Sequence, residues 1–396
     1  MVPTLIAAAL LATSPATLPQ QAPATGSSHD IVVTGQKLTA TQKALAACLA
    51  RHCPPEEDMK ATLAHAENQF VAGDYADARH TLLTSIHRNK RYASRYPVAV
   101  SGLLLANARL AGHLGEGDAE RIGMIDAVSA LKAGLDDGDP RVLEATVELA
   151  DTEVHVGRID YAARLYQQVR DKAERLHLTR IQGFAMLHLA SLYEKLAEQL
   201  PEYRSRAHDA IAELTRSDDP QMATFALAGR VLAARMSARS GNDKAVDELI
   251  ASIPKTADQP VLLYAPALKL PEESGRNENS GDVLTKMPTG DFDDQWVDIG
   301  FWIGPDGKVT DADILRQSKS MSGDWPAPLI TAIKGRRYTA TTRAADDPGV
   351  FHVERYTYTA YWTRVTGSRI RQRSAVPEIE MLDLTAQPSP AKATGV

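Results

Sequence analysis

The chain has 396 residues, of which 44% are hydrophobic and 24% charged, so it is long enough for two folded units of ordinary globular composition joined by linkers. Its formal net charge of −6 argues against nucleic acid as the main partner. It contains no run of 18 apolar residues, so no membrane-spanning helix is predicted.

The first 24 residues have features of an export signal. Residues 5–12 form a short apolar run, and the small residues after it suit cleavage near Ala16 or Ala24. A basic segment before the run is missing, so an uncleaved tail and an uncleaved anchor remain as alternatives. We expect residues 1–24 to be a signal peptide, and membrane association to be confined to this segment.

Residues 25–40 are rich in Pro, Gln, Ala, Ser, Thr and Gly and predict a disordered linker. Six consecutive residues within it are prone to form a strand, namely Asp30, Ile31, Val32, Val33, Thr34 and Gly35.

Cys48 and Cys53 lie five residues apart, where a helix is expected to end. Pro54 and Pro55 follow directly, so the last turn can fold back and bring the sulfurs together. In an exported chain this pair favours a disulfide, whose short loop would contribute about 2 kcal/mol or less. Zinc is the alternative, but two cysteines with His52 nearby make a poor site.

Residues 41–253 have helical periodicity and repeat internally. The segments 66–83 and 149–169 each resemble the middle of a tetratricopeptide repeat, with a glycine between two amphipathic stretches. Glycines recur at intervals of 42 or 84 residues, at Gly73, Gly115, Gly157 and Gly241, and Gln199 stands where this period would place another glycine. An alanine lies seven residues before each of these glycines: Ala66, Ala108, Ala150 and Ala234. One hairpin cannot bury its apolar face alone, so we predict a tetratricopeptide-like stack of about five hairpins. Coincidental spacing is the alternative.

Residues 254–292 show little periodicity and predict an inter-domain linker. Within it, residues 261–264 are too apolar to remain in solvent, so we expect residues 259–273 to include a docked extended segment. The chain after residue 366 is predicted to be a disordered tail, residues 367–396.

Residues 296–362 predict a small ββαβ module, beginning with two strands. Val297, Ile299, Phe301 and Ile303 alternate with other residues in the period of a half-buried strand. A tight turn follows at Pro305–Asp306–Gly307. On the return strand Val309 is out of phase with Ala312 and Ile314, which predicts a β-bulge near Thr310 and Asp311.

The second half of the module predicts a helix and a last strand. Pro326 suits the first turn of the helix, Leu329, Ile330 and Ile333 form its apolar face, and Gly335 can end it. Residues 351–362 are rich in Tyr, Thr and Val, as strands are.

These elements resemble the C-terminal domain of TonB-type energy transducers, over residues 293–366. The resemblance is carried by the order and spacing of the two strands, the helix with its aromatic-basic end and the last strand: Val297, Ile299, Phe301, Ile303, Asp306, Gly307, Val309, Ala312, Ile314, Leu315, Lys334, Gly335, Arg336, Arg337 and Tyr338. The family commonly has a proline shortly after that end, where this chain has Thr339 and Ala340. The fold class expected is therefore α+β multidomain.

The resemblance implies that the last strand offers its edge to an extended peptide by β-augmentation. The corresponding edge comprises Val353, Glu354, Arg355, Tyr356, Thr357, Tyr358, Thr359, Ala360, Tyr361 and Trp362. Alternation places Tyr356 and Tyr358 on one face, and Arg355 and Thr357 on the other. An edge covered by residues 375–385 as an added strand is the alternative.

The segment 30–35 resembles the TonB box of outer-membrane receptors. The resemblance implies that it docks on the chain's own edge strand or recruits a separate TonB protein. A chance β-prone linker remains an alternative.

No motif for catalysis is found: His-Glu-x-x-His, Gly-x-Ser-x-Gly, a phosphate-binding glycine loop and an activated cysteine are all missing. Five histidines without metal spacing are expected on surface helices and loops: His52, His65, His80, His87 and His113. We therefore expect no catalytic residue, metal or cofactor.

The sequence predicts a periplasmic, non-enzymatic adaptor with protein or peptide partners, either a TonB-dependent outer-membrane receptor or a TonB protein. The alternatives are anchorage in the inner membrane, and a scaffold for envelope assembly or quality control in which the TonB-like domain is only structural. Without a clear anchor, transmission of force is not expected.

Overall fold

The computed structural model describes residues 37–217, 219–240, 244–253, 255, 260–266, 268, 292–364, 371–374 and 377–385. The predicted signal peptide, the TonB-box-like segment Asp30–Gly35 and Gly241 lie outside the described residues.

The N-terminal part of the described chain is helical from end to end. Its α-helices are α1 (Leu38–Ala50), α2 (Pro55–Ala72), α3 (Tyr75–Asn89), α4 (Pro97–His113), α5 (Gly117–Lys132), α6 (Pro140–His155), α7 (Ile159–Arg175), α8 (Thr179–Ala197), α9 (Arg204–Thr215), α10 (Ala223–Arg239) and α11 (Ala245–Ser252). The first of them begins at Leu38, so the predicted linker ends slightly earlier than residue 40.

The helices after α1 form five successive hairpins, α2–α3, α4–α5, α6–α7, α8–α9 and α10–α11, and each helix packs on its neighbours in the chain. Gly73, Gly115 and Gly157 lie at the turns inside the first three hairpins, with φ of +93°, +70° and +76°. Glycine adopts this left-handed conformation without the steric cost that a side chain would bring. The predicted number of about five hairpins is confirmed, and the predicted glycine lies at the turn in the first three of them.

The predicted small residues lie where helices meet. Ala66, Ala108 and Ala150 are buried at the helix contacts, while Ala234 is half-buried. A Cβ built on Gly123 of α5 would lie 2.9 Å from the Cβ of Ala108 on α4, so neither position has room for a larger side chain.

The C-terminal part contains the sheet. Its strands and one helix are β1 (Leu262–Tyr264), β2 (Trp296–Ile303), β3 (Val309–Gln317), α12 (Pro326–Lys334), β4 (Arg337–Tyr338), β5 (Val350–Thr359), β6 (Trp362–Arg364), β7 (Arg371–Arg373) and β8 (Glu378–Asp383). Four antiparallel strands form the main sheet in the order β3-β2-β5-β8. The predicted ββαβ order is therefore present, with β4 as a short addition.

The local features predicted for the module are also present. The turn between β2 and β3 has Gly307 at φ +78°, closed by a hydrogen bond from the Gly307 amide to the Gly304 carbonyl (2.9 Å). The register of β2 on β3 shifts between Gly300 and Trp302, and Asp311 at φ +40° lies in that bulge. The extended segment expected in the linker docks as β1, which pairs with β4.

The C-terminal segment contradicts two predictions made from the sequence. Residues 378–383 form β8, so the prediction of a disordered tail is wrong for this segment. This strand pairs with β5 from Glu354↔Asp383 to Thr359↔Glu378, while β2 pairs along the other side of β5. The predicted open edge from Val353 is therefore wrong, because β5 is an inner strand. The alternative of an added strand from residues 375–385 is the observed arrangement.

Candidate functional site: the sheet and the helical turns it contacts

The two faces of β5 are buried against different parts of the molecule. Tyr356 and Tyr358 belong to the core of the module, where the Tyr358 ring stacks on Trp325 at 5.2 Å between centroids. Arg355 and Thr357, on the opposite face, contact the turn ends of the first helical hairpins. The predicted division of the faces is correct, but the sequence did not indicate what covers the second face.

Arg355 is the centre of that second face and is fully buried. Its Nε donates to Oδ1 of Asp298 on β2 (2.6 Å), and its Nη2 donates to Oδ2 (3.0 Å). Nη1 and Nη2 also donate to the carbonyls of Phe70 and Val71 at the end of α2, the second at 2.9 Å. The Phe70 carbonyl also accepts the Gly73 amide (2.9 Å), and both carbonyls lie at the negative end of the helix dipole, so the guanidinium binds both the carboxylate and the helix end.

Trp296 closes the same contact from β2. Its ring lies under the Arg355 guanidinium, 4.0 Å from Cζ to the centroid, and belongs to the apolar cluster of the first two hairpins. A Cβ on Gly73 would lie 2.5 Å from the Trp296 ring. Two features therefore require a glycine at position 73: the left-handed backbone conformation, and the Trp296 ring, which leaves no room for a side chain.

A second arginine repeats the arrangement at the next hairpin. Arg373 Nη1 donates to the carbonyl of Leu114, which follows α4 (2.9 Å), and to that of Ala360 (2.7 Å). The Trp362 amide donates to the carbonyl of Gly115 (2.9 Å). The C-terminal ends of α2 and α4 are therefore both bound by arginines of the sheet region.

Thr357 lies between these two contacts. Its hydroxyl is hydrogen-bonded to the Tyr75 hydroxyl (3.0 Å) and to Nδ1 of His113 (2.9 Å). Burial lowers the pKa of His113 to about 4, so the ring is neutral near pH 7. His65 is buried as well and bonds Thr41, so the prediction of surface positions is wrong for His65 and His113.

A cluster of titratable groups lies where β8 meets the second and third hairpins. Nδ1 of His155 is 3.7 Å from Oε1 of Glu120, and the Tyr361 hydroxyl donates to Oε1 of Glu380 (3.3 Å). Burial alone would lower the pKa of His155, but the carboxylates of Glu120, Glu380 and Asp151 together raise it to about 9. Burial and the charge of Glu380 raise the pKa of Glu378 to about 7.

The face of the sheet that is covered by α12 holds a separate polar network. Arg336 Nη1 donates to both carboxylate oxygens of Glu354 (2.9 Å each), and Nη2 donates to the Tyr356 hydroxyl (2.7 Å). Burial raises the pKa of Tyr338 beside them to about 12. Because all these groups are paired and Glu354 and Arg336 are buried, the network holds α12 and β5 together.

The helical part has a groove of about 470 Å³ between α7 and α9, with α8 as its floor. Side chains of both charges line it, together with one tyrosine and smaller residues: Asp160, Arg164, Gln167, Arg170, Tyr193, Arg206, Asp209 and Glu213. Arg170 pairs with Glu213 across the groove and with Asp171 on its own helix.

The predicted disulfide is present between Cys48 and Cys53, with 5.1 Å between their Cα atoms. His52 has φ +52°, which shows how the chain folds back after α1. Cys48, Cys53 and Glu57 are the one group within the described ranges with metal-ligand spacing, but both sulfurs are used in the disulfide. None of the helices within those ranges is both long and apolar enough to cross a membrane.

The contact between sheet and hairpins was not predicted from the sequence: Arg355 and Thr357 were assigned to a peptide-binding edge, and Asp298 was given no role. Asp298 and Arg355 are opposite charges in the middle of two strands whose neighbours are mostly apolar or aromatic, and that was the available signal. Strand pairing places them side by side, Asp298↔Arg355.

No protein-family model matches the chain, and no curated protein matches it significantly. Solved structures with similar folds include a kinesin light chain with nearly identical TPR-like repeats from Podosopora anserina, at 17% identity and TM-score 0.38 over 50% of this chain and 93% of that one. A single-substitution form of the same protein is 18% identical, with a TM-score of 0.38 over 50% of this chain and 92% of that one. BtubC from P. vanneervenii is 16% identical, with a TM-score of 0.41 over 58% of this chain and 98% of that one. Because these TM-scores are below 0.5, no function is inferred from the likeness, and the repeat architecture rests on the hairpin contacts of this chain.

Proposed function

We propose that this protein is a non-enzymatic scaffold for protein–protein interaction. The observation that carries the proposal is the docking of the sheet onto the turns of the first hairpins through Arg355, while the groove between α7 and α9 is left open. A stack of hairpins offers an extended surface to protein partners, and the docked sheet adds a second surface of different chemistry.

We further propose that the sheet region is a TonB C-terminal-like domain of an exported, periplasmic protein that acts in TonB-dependent transport, with an outer-membrane receptor or a TonB protein as partner. The ββαβ order, the Asp306–Gly307 turn and the bulge at Asp311 support this relationship. The disulfide supports an oxidising compartment.

The second candidate is an envelope scaffold in which the TonB-like domain has a structural role. It is favoured by β8, because this strand occupies the edge of β5 that the TonB resemblance assigns to a peptide. Under this proposal the sheet serves to hold the hairpins, and partners bind the hairpins alone.

In-cell crosslinking tests the scaffold proposal. A photo-crosslinking amino acid is placed at Gln167 in the groove, and at Leu83 and Ile122 as exposed positions outside it. A discrete partner crosslinked at Gln167 and absent at the other two positions supports a scaffold, and a TonB-dependent receptor or TonB protein among the products supports the transport proposal. The absence of a discrete product at Gln167 contradicts the scaffold proposal. Recovery of the native protein in the cytosolic fraction contradicts export.

A further inference from the structure

The outer strand β3 (Val309–Gln317) leaves one edge of the main sheet without a partner. It pairs with β2, and within the described part of the chain no strand lies on its other side. Seven of its nine residues are exposed, while Ala312 is buried and Val309 half-buried. An unpaired edge presents backbone donors and acceptors that can accept another strand.

Two exposed aliphatic side chains flank this edge on opposite faces. Ile314 is 37% exposed and lies opposite Ile299, on the side of α12. Leu315 is 49% exposed and lies against Gly300 on the other face, where a Cβ would be 2.7 Å from its Cδ1. The other exposed large apolar residues in the described ranges lie on or beside helices: Leu49, Leu83, Val98, Ile122, Leu176 and Leu200.

The edge has only part of the usual protection against strand addition, namely two bulges and three charged side chains. From Thr310 to Gln317 there is neither a lysine nor a proline. The one bulge with positive φ lies at Asp311, away from the aliphatic pair. A second register shift, between Asp298 and Ile299, leaves Leu315 without a directly paired residue on β2, so the accessible edge bends at Leu315 as well as at Asp311.

The charge along the edge is negative. Asp311 and Asp313 are exposed and form no ion pair among the described residues. The nearby cations are engaged, since Lys308 pairs with Asp306 and Arg316 with Asp298. A strand with a basic residue beside its apolar ones complements this edge.

We propose that β3 binds an extended segment of a partner protein by strand addition, with consecutive apolar residues of that segment against Ile314 and Leu315 and a basic residue facing Asp311 and Asp313. This inference rests on the proposed scaffold function and names one of its binding surfaces. The edge of β5 cannot serve because β8 occupies it. The outer edge of β8 is shorter, with six residues against nine in β3.

The test uses the full-length protein and a labelled, capped peptide, Lys-Thr-Val-Val-Val-Thr-Lys, with an Asp-for-Lys peptide as the charge control. Fluorescence anisotropy gives the affinity, and amide chemical shifts locate the site. We expect the basic peptide to shift amides of residues 309–317, and the acidic peptide to bind at least tenfold more weakly. The double variant I314T/L315T is expected to weaken binding at least tenfold, since threonine keeps strand propensity but removes apolar contact.

Matched variants on helices, L83T and I122T, have similar or greater exposure and are expected to bind like the unchanged protein. The inference is overturned if the peptide shifts amides of β5 or β8 instead, or if I314T/L315T binds as tightly as the controls. A partner that still crosslinks at Gln167 in I314T/L315T would leave the scaffold proposal intact, so the two failures are distinguishable.

Discussion

Arg355 and Asp298 form an ion pair between neighbouring strands whose charged groups are buried under the end of helix α2. The Nε–Oδ1 distance is 2.6 Å, and the side chains are 0% and 1% exposed. The pair is tolerated because further guanidinium donors reach the carbonyls of Phe70 and Val71, so each of the three guanidinium nitrogens donates at least one hydrogen bond. The contact of Arg355 with α2 also joins the sheet to the hairpins, so substitution of Arg355 tests how much this docking stabilises the protein.

Removing Arg355 should destabilise the protein strongly, since Asp298 would be left buried with only the half-exposed Arg316 beside it. For R355A we expect the free energy of unfolding to fall by about 3–5 kcal/mol. Arg316 bonds the same carboxylate from a side chain that is 50% exposed, so R316A should cost less than about 1 kcal/mol. Urea denaturation measures both, and equal losses would contradict the docking role of Arg355.

The turn glycines provide a second test. Gly73 and Gly157 share a left-handed backbone, but a Cβ would meet Trp296 at the first and nothing within 4 Å at the second. G157A should cost about 1–2 kcal/mol through backbone strain alone. G73A should cost about 1–3 kcal/mol more, because the sheet must move. Thermal or urea unfolding of the two variants gives the difference, and its absence would show that the sheet does not press on this turn.

The stability that Glu378 and His155 contribute should fall as the pH rises from about 4.5 to 9. The raised pKa of His155, from 6.5 to about 9, contributes stability that is complete below pH 6.5 and lost as the pH passes 9. The raised pKa of Glu378, from 4.5 to about 7, contributes stability that is lost as the pH passes 7. We expect a loss on the order of 2 kcal/mol across the range.

The variant E378Q separates the two groups. It removes the part lost below about pH 7 and keeps Glu120, Asp151 and Glu380, which raise the pKa of His155. It also removes the attraction between the Glu378 carboxylate and His155, so the remaining loss at higher pH should be somewhat smaller. Urea titrations at several pH values measure this, and an unchanged slope in E378Q would exclude Glu378 as a contributor.

Releasing β8 should expose the edge of β5. Ile379 is 9% exposed and packs in the core of the module, so I379A should cost about 2–4 kcal/mol. Hydrogen exchange should then become faster at the amides of Arg355, Thr357 and Thr359, which face β8, while the Tyr358 amide bonds Gln295 on the β2 side and stays slow. L315A on β3 is the control, since its side chain is half exposed. Slow exchange at Arg355, Thr357 and Thr359 in I379A would mean that β8 stays paired without its buried side chain.

The disulfide between Cys48 and Cys53 closes a short loop, so C48S/C53S should lose only about 2 kcal/mol or less. The loss should be confined to α1 and its contacts with α2, which proteolysis of the region around residue 50 would report. Alkylation of native cells measures the redox state, and free thiols there would count against export.

Local patterns were sufficient for much of the fold. The glycines at Gly73, Gly115 and Gly157 predict the hairpin turns because only glycine adopts that backbone without strain. The bulge at Asp311 follows from a phase shift within a single strand, and the disulfide from a helix end between two cysteines. Each of these depends on residues close in the chain.

By itself, the sequence determined the stacked hairpins, the ββαβ order, the bulge and the disulfide of this protein. Only the tertiary structure decided that β8 covers β5, that β3 is left open and that Arg355 binds the end of α2, 285 residues away from Phe70. The physical reason is that a strand edge or a helix end specifies that its backbone groups need partners, but not which distant segment provides them. The choice among distant segments depends on packing and on the pairing of buried charges, which the periodicity of one segment does not contain.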